Sequence, residues 1–504
     1  MERRTKQIVA IVAIAAIAVG TGVGIGIYFL FSPPYWETPG APTGISEDRW
    51  IKVGLVGDLD DPSGVGNYQG AYLAVEEINK DGGIVVNGTR YYFAIASENT
   101  GEARPSYDIT IGQRAVETLL SNGAEYFVGG FRTEVVEAYR ENIMNAKKIF
   151  LSSGCAGDGL TEDVESTPAK YKYYFRVMPI NETSLATQTL FFVQGLQYHL
   201  NASYYGATSG ARQIDKAVIL RENLDWTEAF GDGSDFQNAL SSFFTGGISE
   251  VLVNPDEGTD AFIGIWDSIN NTGAEVVIPV ISAGLGSSMS TTYAEYVNPS
   301  YILCGINVAA QELSYWEDTN GACEYETTLT PLTDTNKTPV TKEYYNRYYA
   351  KYSEAPLYTA TGAYDSIYLL ADAINNTGFN VDNLISYFET TEWVNMSGST
   401  NKFKFTHNHD VLTCGSIYEG TNLVPLTSEE RLYSQTLIAQ WEDQEQKAVD
   451  CNYHISNGNT YLGLTGKSNV MGVVNPFTFY PEGMAIRNFT VNPEVQSIWL
   501  SVPG

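Results

Sequence analysis

The sequence predicts an α/β protein of two doubly wound, parallel-sheet lobes preceded by one N-terminal transmembrane helix. Three observations carry this. From Trp50 onward, apolar runs of strand length alternate with Gly-rich turns and amphipathic helix patterns, without an exact repeat period. Nine such strand runs precede residue 310, more than one doubly wound domain holds comfortably. An apolar stretch without charge occupies the N-terminus. The chain has 504 residues, 43% of them hydrophobic and 12% aromatic, which is ample for two or more cores and excludes wholesale disorder.

Residues 1–7 carry Arg3, Arg4 and Lys6, and residues 8–31 hold nothing more polar than Thr21, Tyr28 and glycines. As a helix this run spans about 36 Å, enough to cross a bilayer. It is longer than a signal-peptide core and exits into Phe31-Ser-Pro-Pro-Tyr-Trp, an interfacial aromatic belt, which predicts an uncleaved anchor. The cations before the run place residues 1–7 in the cytoplasm and the body outside the cell, so the expected location is the cell membrane, single-pass. Glycines 20, 22, 24 and 26 leave room for self-association of two such helices. Residues 32–49 are a Pro/Gly-rich linker.

Strands are expected at 51–57, 91–97, 125–129, 148–152, 173–178, 217–222, 250–254, 275–281 and 301–308. Helices are expected at 68–80, 106–121, 134–146, 183–199, 226–243, 259–270 and 341–352. In the first, Ala71, Ala74, Val75 and Ile78 share the face that should cover a sheet. A break falls near Pro179, where a second series of units starts. Helices at about 359–376 and 381–390, then short strands near 402–405 and 437–442, follow, and residues 451–504 form an Asn-, Gly- and Pro-rich C-terminal extension.

The formal charge of −30 argues against nucleic acid as a partner. No His-Glu-x-x-His, paired CxxC, Walker or GxSxG motif occurs, so no metal, no cofactor and no enzymatic activity are expected. His407-Asn-His409-Asp410 reads as a solvated hairpin edge rather than a metal site. Asp58-Leu-Asp60-Asp61 reads as an acidic turn, since its spacing is not that of a calcium loop. Gly64-Val-Gly66-Asn-Tyr-Gln-Gly70 has one residue too many for a dinucleotide fingerprint, and its glycines read as a tight turn. Cys304 with Cys323, and Cys414 with Cys451, are candidate disulfides that leave Cys155 single. Candidate glycosylation sequons stand at Asn87, Asn181, Asn201, Asn270, Asn336, Asn375, Asn395 and Asn488.

Open α/β sheets bind ligands at the carboxyl ends of their strands, which directs attention to the loops there. In Gly129-Gly-Phe-Arg-Thr133, backbone N–H groups, the Thr133 hydroxyl and the Arg132 guanidinium could converge on a carboxylate; alternatively Thr133 caps a helix and Arg132 reaches solvent. Ser152-Ser153-Gly154-Cys155 has small residues that let a ligand approach the backbone, and Ser63 lies in the loop after the first strand. Asp225 and Glu228 read as a capping box that leaves Trp226 facing either cleft or core.

These pieces resemble the type 1 periplasmic binding proteins, specifically the branched-chain amino acid (Leu/Ile/Val) binding proteins of ABC importers. The likeness lies in Ile51-Lys-Val-Gly-Leu-Val, in Gly70-Ala-Tyr-Leu-Ala-Val-Glu-Glu-Ile-Asn79 followed by Asp81-Gly-Gly-Ile84, and in Val128-Gly-Gly-Phe. It continues in Tyr174-Phe-Arg-Val, in Tyr345 to Tyr352 before Pro356, and in Thr361-Gly-Ala-Tyr-Asp-Ser366, covering about 50–450. The resemblance implies two lobes, 50–178 with 308–395 and 179–307 with 396–450, joined by three crossing segments around a hinge cleft that closes on a small-molecule ligand. It implies carboxylate contacts from Thr133 and from Ser152, Ser153, Gly154 and Cys155, an aromatic stack from Trp226, and further contacts from Ser282 and Gly284. Arg132, Cys155 and Ala156 depart from the family pattern. Neither Ser282-Ala-Gly284 nor Gly305-Ile-Asn-Val308 offers a carboxylate for a ligand ammonium, which leaves amino acids, acids and amides all open. The function implied is a membrane-anchored solute-binding protein that delivers its ligand to an ABC transporter permease; the alternative is a structural or adhesive surface protein that keeps the fold.

Overall fold

A computed structural model describes residues 35–201, 214–295, 300–334, 340–394, 402–413, 436–450, 487–488, 490–491 and 493–495. The apolar run 8–31, Cys414, Cys451, Asn336, Asn395 and nearly all of 451–504 lie outside them. Among the described residues no helix is long and apolar enough to cross a membrane.

The first sheet grows around β1 (Trp50–Gly57), buried on both faces from Val53 to Gly57 as a central parallel strand must be. It pairs in parallel with β3 (Thr89–Asn99) and β4 (Tyr126–Gly129). β5 (Ile149–Ser152) and β6 (Tyr174–Arg176) extend it, and β2 (Ile84–Val86) closes the other edge antiparallel, giving the order β2-β3-β1-β4-β5-β6. The second sheet repeats the scheme around β7 (Lys216–Glu222), with β8 (Gly247–Val253), β9 (Val276–Ile281), β10 (Ile302–Asn307) and β11 (Thr327–Thr330) parallel. Antiparallel β14 (Leu437–Glu442) and β15 (Glu445–Asp450), then β16 (Arg487–Asn488), complete eight strands in the order β16-β15-β14-β11-β10-β9-β7-β8. β12 (Glu392–Val394) and β13 (Lys402–Lys404) form a separate ribbon. In each sheet the chain steps from its first strand to one side and then returns to the other, so each has a topological switch point: between β1 and β4, and between β7 and β9.

Helix α1 (Pro62–Lys80) begins where Asp61 accepts from the Ser63 N–H at 2.9 Å and Pro62 presets the first turn. Ala71, Ala74, Val75 and Ile78 are buried, as their spacing predicts. The helix starts six residues earlier than the expected 68, and this corrects the reading of Gly64, Gly66 and Gly70 as a turn. All three lie inside the helix, where a Cβ on Gly70 would stand 1.9 Å from the Ala360 carbonyl oxygen. The glycine is needed because α1 crosses α2 (Tyr358–Thr377) backbone to backbone. Gly129 and Gly130, at the end of β4, hold φ of +129° and +94°, and this backbone turns the following loop across the switch point.

Several expectations are corrected. The 226–243 helix is a 3₁₀ turn (Asp225–Phe230) and a short helix (Asp235–Leu240), interrupted by Gly231-Asp-Gly233; Leu224 is the cap residue and no Asp225 side chain bonds the turn. Ser282-Ala-Gly284 is not a loop, because a helix spans Ala283–Glu295. The lobe boundaries move. Residues 308–334 belong to the second sheet, since β11 bonds β10 and β14, while 402–411 stays with the first lobe, where Phe405 and His409 pack on Phe175. His409 is therefore buried rather than solvated, its Nδ1 3.0 Å from the Tyr174 carbonyl.

Cys304 and Cys323 are free and buried, not a disulfide. Cys304 points into the main core of the second lobe and Cys323 into a separate cluster with Tyr315 and Trp441. Among the sequons, Asn181 cannot carry a glycan in this fold, because its buried amide donates to Asp410 Oδ2 at 2.9 Å. The Asn201 amide is bonded to the backbone of Ile214, whereas Asn87, Asn270 and Asn375 are exposed.

Candidate functional site

The two switch points face one another across a cavity with about 600 Å³ of empty volume, part of it open to solvent. Its walls follow from the topology. The first lobe sends Phe131 and Arg132 from the end of β4, Gly154 and Ala156 from the end of β5, Ile180 from the crossing after β6, and Tyr358 from the start of α2. The second sends Leu224 and Trp226 from the end of β7, Ser282 from β9, Ile306 and Val308 from β10, and Leu329 and Pro331 from β11. Leu185, Gln311 and Thr436 complete the lining among the described residues. Mostly apolar walls and a few placed polar groups are what a small-molecule site needs.

The polar groups have distinct settings. Arg132 is 5% exposed, its guanidinium lying 4.9 Å from the Tyr107 ring centroid with Nη1 donating to the Arg104 carbonyl at 3.0 Å. The Ser282 hydroxyl and Gln311 Oε1 are buried with no hydrogen-bond partner among the described residues. Gln311 Nε2 donates to Leu329 O at 3.2 Å, which leaves its carbonyl oxygen as the free end. Among the described residues no Asp or Glu lines the cavity. Beside the lobe-2 wall, Glu222 Oε2 accepts from the Ser282 N–H at 2.7 Å, and burial pushes its carboxyl above the usual range. Behind the first-lobe wall, burial pushes the Glu102 carboxyl up to about 8, with the neighbouring Asp58 charge raising it further and Arg132 opposing. Among the described residues, no cluster of His, Cys, Asp and Glu could hold a metal ion.

Of the ten residues singled out from sequence, Arg132, Gly154, Trp226 and Ser282 line the cavity. The other six do not. Thr133 Oγ1 is turned away to accept from Gly157 N–H at 3.1 Å, so Thr133 braces the loop and makes no side-chain cap. Ser63 bonds Asp61, and Ser153 donates to Asn67 behind the wall. Ser152 Oγ and the Tyr174 hydroxyl lie 2.9 and 3.3 Å from the buried Cys155 sulfur, whose thiol burial pushes up. Gly284 lies within its helix. Sequence reasoning missed Leu224, Ile306, Val308, Leu329, Gln311 and Tyr358. The strand-end position of the first four was an available signal, but β11 was not recognised and nothing local marks Gln311 or Tyr358.

Two doubly wound lobes that line one cavity from opposed strand ends define a cleft-closing ligand-binding protein. Residues 51–422 match the family described as periplasmic binding protein, and the chain belongs to that family. None of the curated proteins matches it. Among solved structures, the leucine-binding protein LivK of Thermotoga maritima superposes with a TM-score of 0.57 at 14% identity, covering 79% of this chain and 97% of that one. LivJ of Streptococcus pneumoniae, a branched-chain amino acid transporter substrate-binding protein in complex with isoleucine, gives 0.56 at 16% identity, over 79% and 98%. A Rhodopseudomonas palustris ABC-transporter solute-binding protein, in complex with 3,4-dihydroxybenzoic acid, gives 0.58 at 16% identity, over 79% and 95%. At these identities the likeness is one of fold.

Proposed function

We propose that this chain is a membrane-anchored solute-binding protein that closes its lobes on a small ligand outside the cell and presents it to an ABC transporter permease. The observation that carries this reading is the single cavity fed by both switch points, since a ligand seated there touches both lobes and favours the closed arrangement by those extra contacts. Solved structures of the same fold, a leucine-binding protein, a transporter substrate-binding protein in complex with isoleucine and an ABC-transporter solute-binding protein in complex with 3,4-dihydroxybenzoic acid, support the class of cargo and of partner. The charge-free run 8–31 and the cations before it support the anchor.

Thermal unfolding of the full chain in detergent against amino acids, short-chain acids, amides, sugars and nucleosides tests the binding role. A ligand at about 100 times its Kd adds about 2.7 kcal/mol of stability. Silence across the panel in protein freed of bound ligand would transfer the reading to a surface protein that retains the fold without its cargo. Carbonate extraction of membranes tests the anchor: the full chain should stay in the membrane, and its release as a shortened soluble form would identify residues 8–31 as a cleaved signal.

A further inference from the structure

Among the described residues Arg132 is the one cation in the cavity wall, it is almost wholly buried, and no carboxylate oxygen of those residues lies within ion-pair distance of it. An arginine cannot shed its proton, and a guanidinium withdrawn from water without a counter-ion is costly, so such a position calls for an anion. Among the described residues its hydrogen bond to the Arg104 carbonyl uses Nη1, which leaves the remaining N–H groups for a planar, bidentate acceptor.

Three carboxyl groups lie close enough to feel its charge, and none of them serves as partner. Glu102 sits behind the loop, Glu134 in the next turn accepts from the Asp225 N–H at 3.3 Å, and Glu222 is occupied by Ser282. Burial raises all three toward the neutral acid, which leaves the arginine's charge less compensated than a count of nearby carboxylates suggests.

The rest of the lining says what else the ligand is. Phe131, Leu224, Trp226, Ile306, Val308 and Leu329 offer an apolar enclosure. An α-ammonium group would need a carboxylate or a ring of acceptors, and among the described residues no Asp or Glu lines the space. Two polar atoms remain unanswered there, the Ser282 hydroxyl and Gln311 Oε1. We propose that the cavity is selective for a small apolar monocarboxylate without an α-ammonium group, its carboxylate held by Arg132 and its aromatic or branched body enclosed by Trp226 and the strand ends of the second lobe. This rests on the solute-binding reading and names the class of cargo. A hydroxyl on the ligand body would find an acceptor in Gln311 Oε1.

The test uses near-isosteric probes on the full chain in detergent: 4-methylpentanoate, its amide, and leucine, which is the same acid bearing an α-ammonium, together with benzoate. Calorimetric titration should give an affinity for 4-methylpentanoate at least tenfold tighter than for leucine or the amide. Arg132→Gln should remove at least tenfold of the acid's affinity and little of the amide's, with far-UV circular dichroism unchanged. Arg132→Lys should restore part of it and checks that charge, not loop collapse, is read. Leucine binding as tightly as 4-methylpentanoate overturns the class while the solute-binding role stands. So does binding of only a sugar or nucleoside. No binding by any probe, sugars and nucleosides included, overturns both.

Discussion

Two buried arginines make opposite use of the same side chain. Arg176, at the end of β6, is fully enclosed and ion-paired: Nη1 lies 2.9 Å from Asp410 Oδ2, Nη2 donates to the Gly157 carbonyl, and Asn181 donates to the same Asp410 oxygen at 2.9 Å, with only Nε left unbonded among the described residues. This network ties the end of the first sheet to the returning segment 405–413, beside the first crossing between lobes. Arg132 is buried nearly as deeply, yet has a carbonyl and an aromatic ring for company and no ion pair among the described residues. Placement therefore separates a charge that ties two segments together from one that is left without an ion pair among the described residues. Arg176 ends a strand of the first sheet and Arg132 lies in the loop after another, and the difference is whether a second segment of chain arrives with a carboxylate.

The comparison breaks most readily at the hinge. Asp410→Ala leaves Arg176 charged and buried, and should destabilise the fold by about 3–5 kcal/mol in denaturant titrations, whereas Arg132→Gln should change stability by about 1 kcal/mol or less. Equal losses would mean that Arg132 has a structural partner after all. Replacing both Arg176 and Asp410 by apolar residues of similar volume should recover most of the loss.

Glu102 sharpens the contrast through pH. Its folded pKa, about 8, lies above the ordinary value of 4.5, so the fold favours the protonated acid. The stability it contributes is complete below about pH 4.5 and is lost as pH rises through about 8. Glu102→Gln should therefore match the parent protein at pH 4.5 and exceed it by up to about 4 kcal/mol near pH 9, as read from unfolding curves across that range. A difference that does not grow with pH would place a cation on Glu102, and Arg132 is the nearest candidate.

Within the cavity the effects are smaller. Trp226→Ala should weaken ligand binding about 10- to 100-fold by removing its largest apolar face, with folding retained. Thr133→Val should cost about 1–2 kcal/mol of stability through the lost Gly157 bond while changing ligand affinity less than about threefold, measured by thermal unfolding and titration on the same samples. A large loss of affinity there would return Thr133 to the ligand's side of the wall.

Much of the fold was legible because its signals are local. Each of the nine expected strands is present in the structure, since a parallel strand buried on both faces is a short, continuous apolar run bounded by turn residues. The long helices 259–272, 341–352 and 381–390 likewise start and stop close to where periodicity places them. β11 was hidden because Thr-Thr-Leu-Thr is three-quarters polar; its burial is eased by two hydroxyls that find partners, Thr328 with the Asn307 carbonyl and Thr330 with the Leu332 carbonyl, each at 2.7 Å. The glycines of α1 misled for a related reason: a close helix crossing and a tight turn both select glycine, and only the arrival of Ala360, nearly three hundred residues later in the chain, tells them apart.

The sequence by itself determined the α/β class, the two series of strands, the family likeness and the loops in which a site must lie, because each is written in neighbouring residues. It also singled out Arg132, Gly154, Trp226 and Ser282. Only the tertiary structure decided which loop residues turn inward, that Cys304 and Cys323 remain thiols in separate clusters, and that Glu222 is spent on a backbone N–H. The role of a polar side chain is set by what faces it, and here what faces it comes from elements far away in the chain. That is why Arg176 ends as a strut while Arg132, buried nearly as deeply, lines the cavity without an ion pair among the described residues.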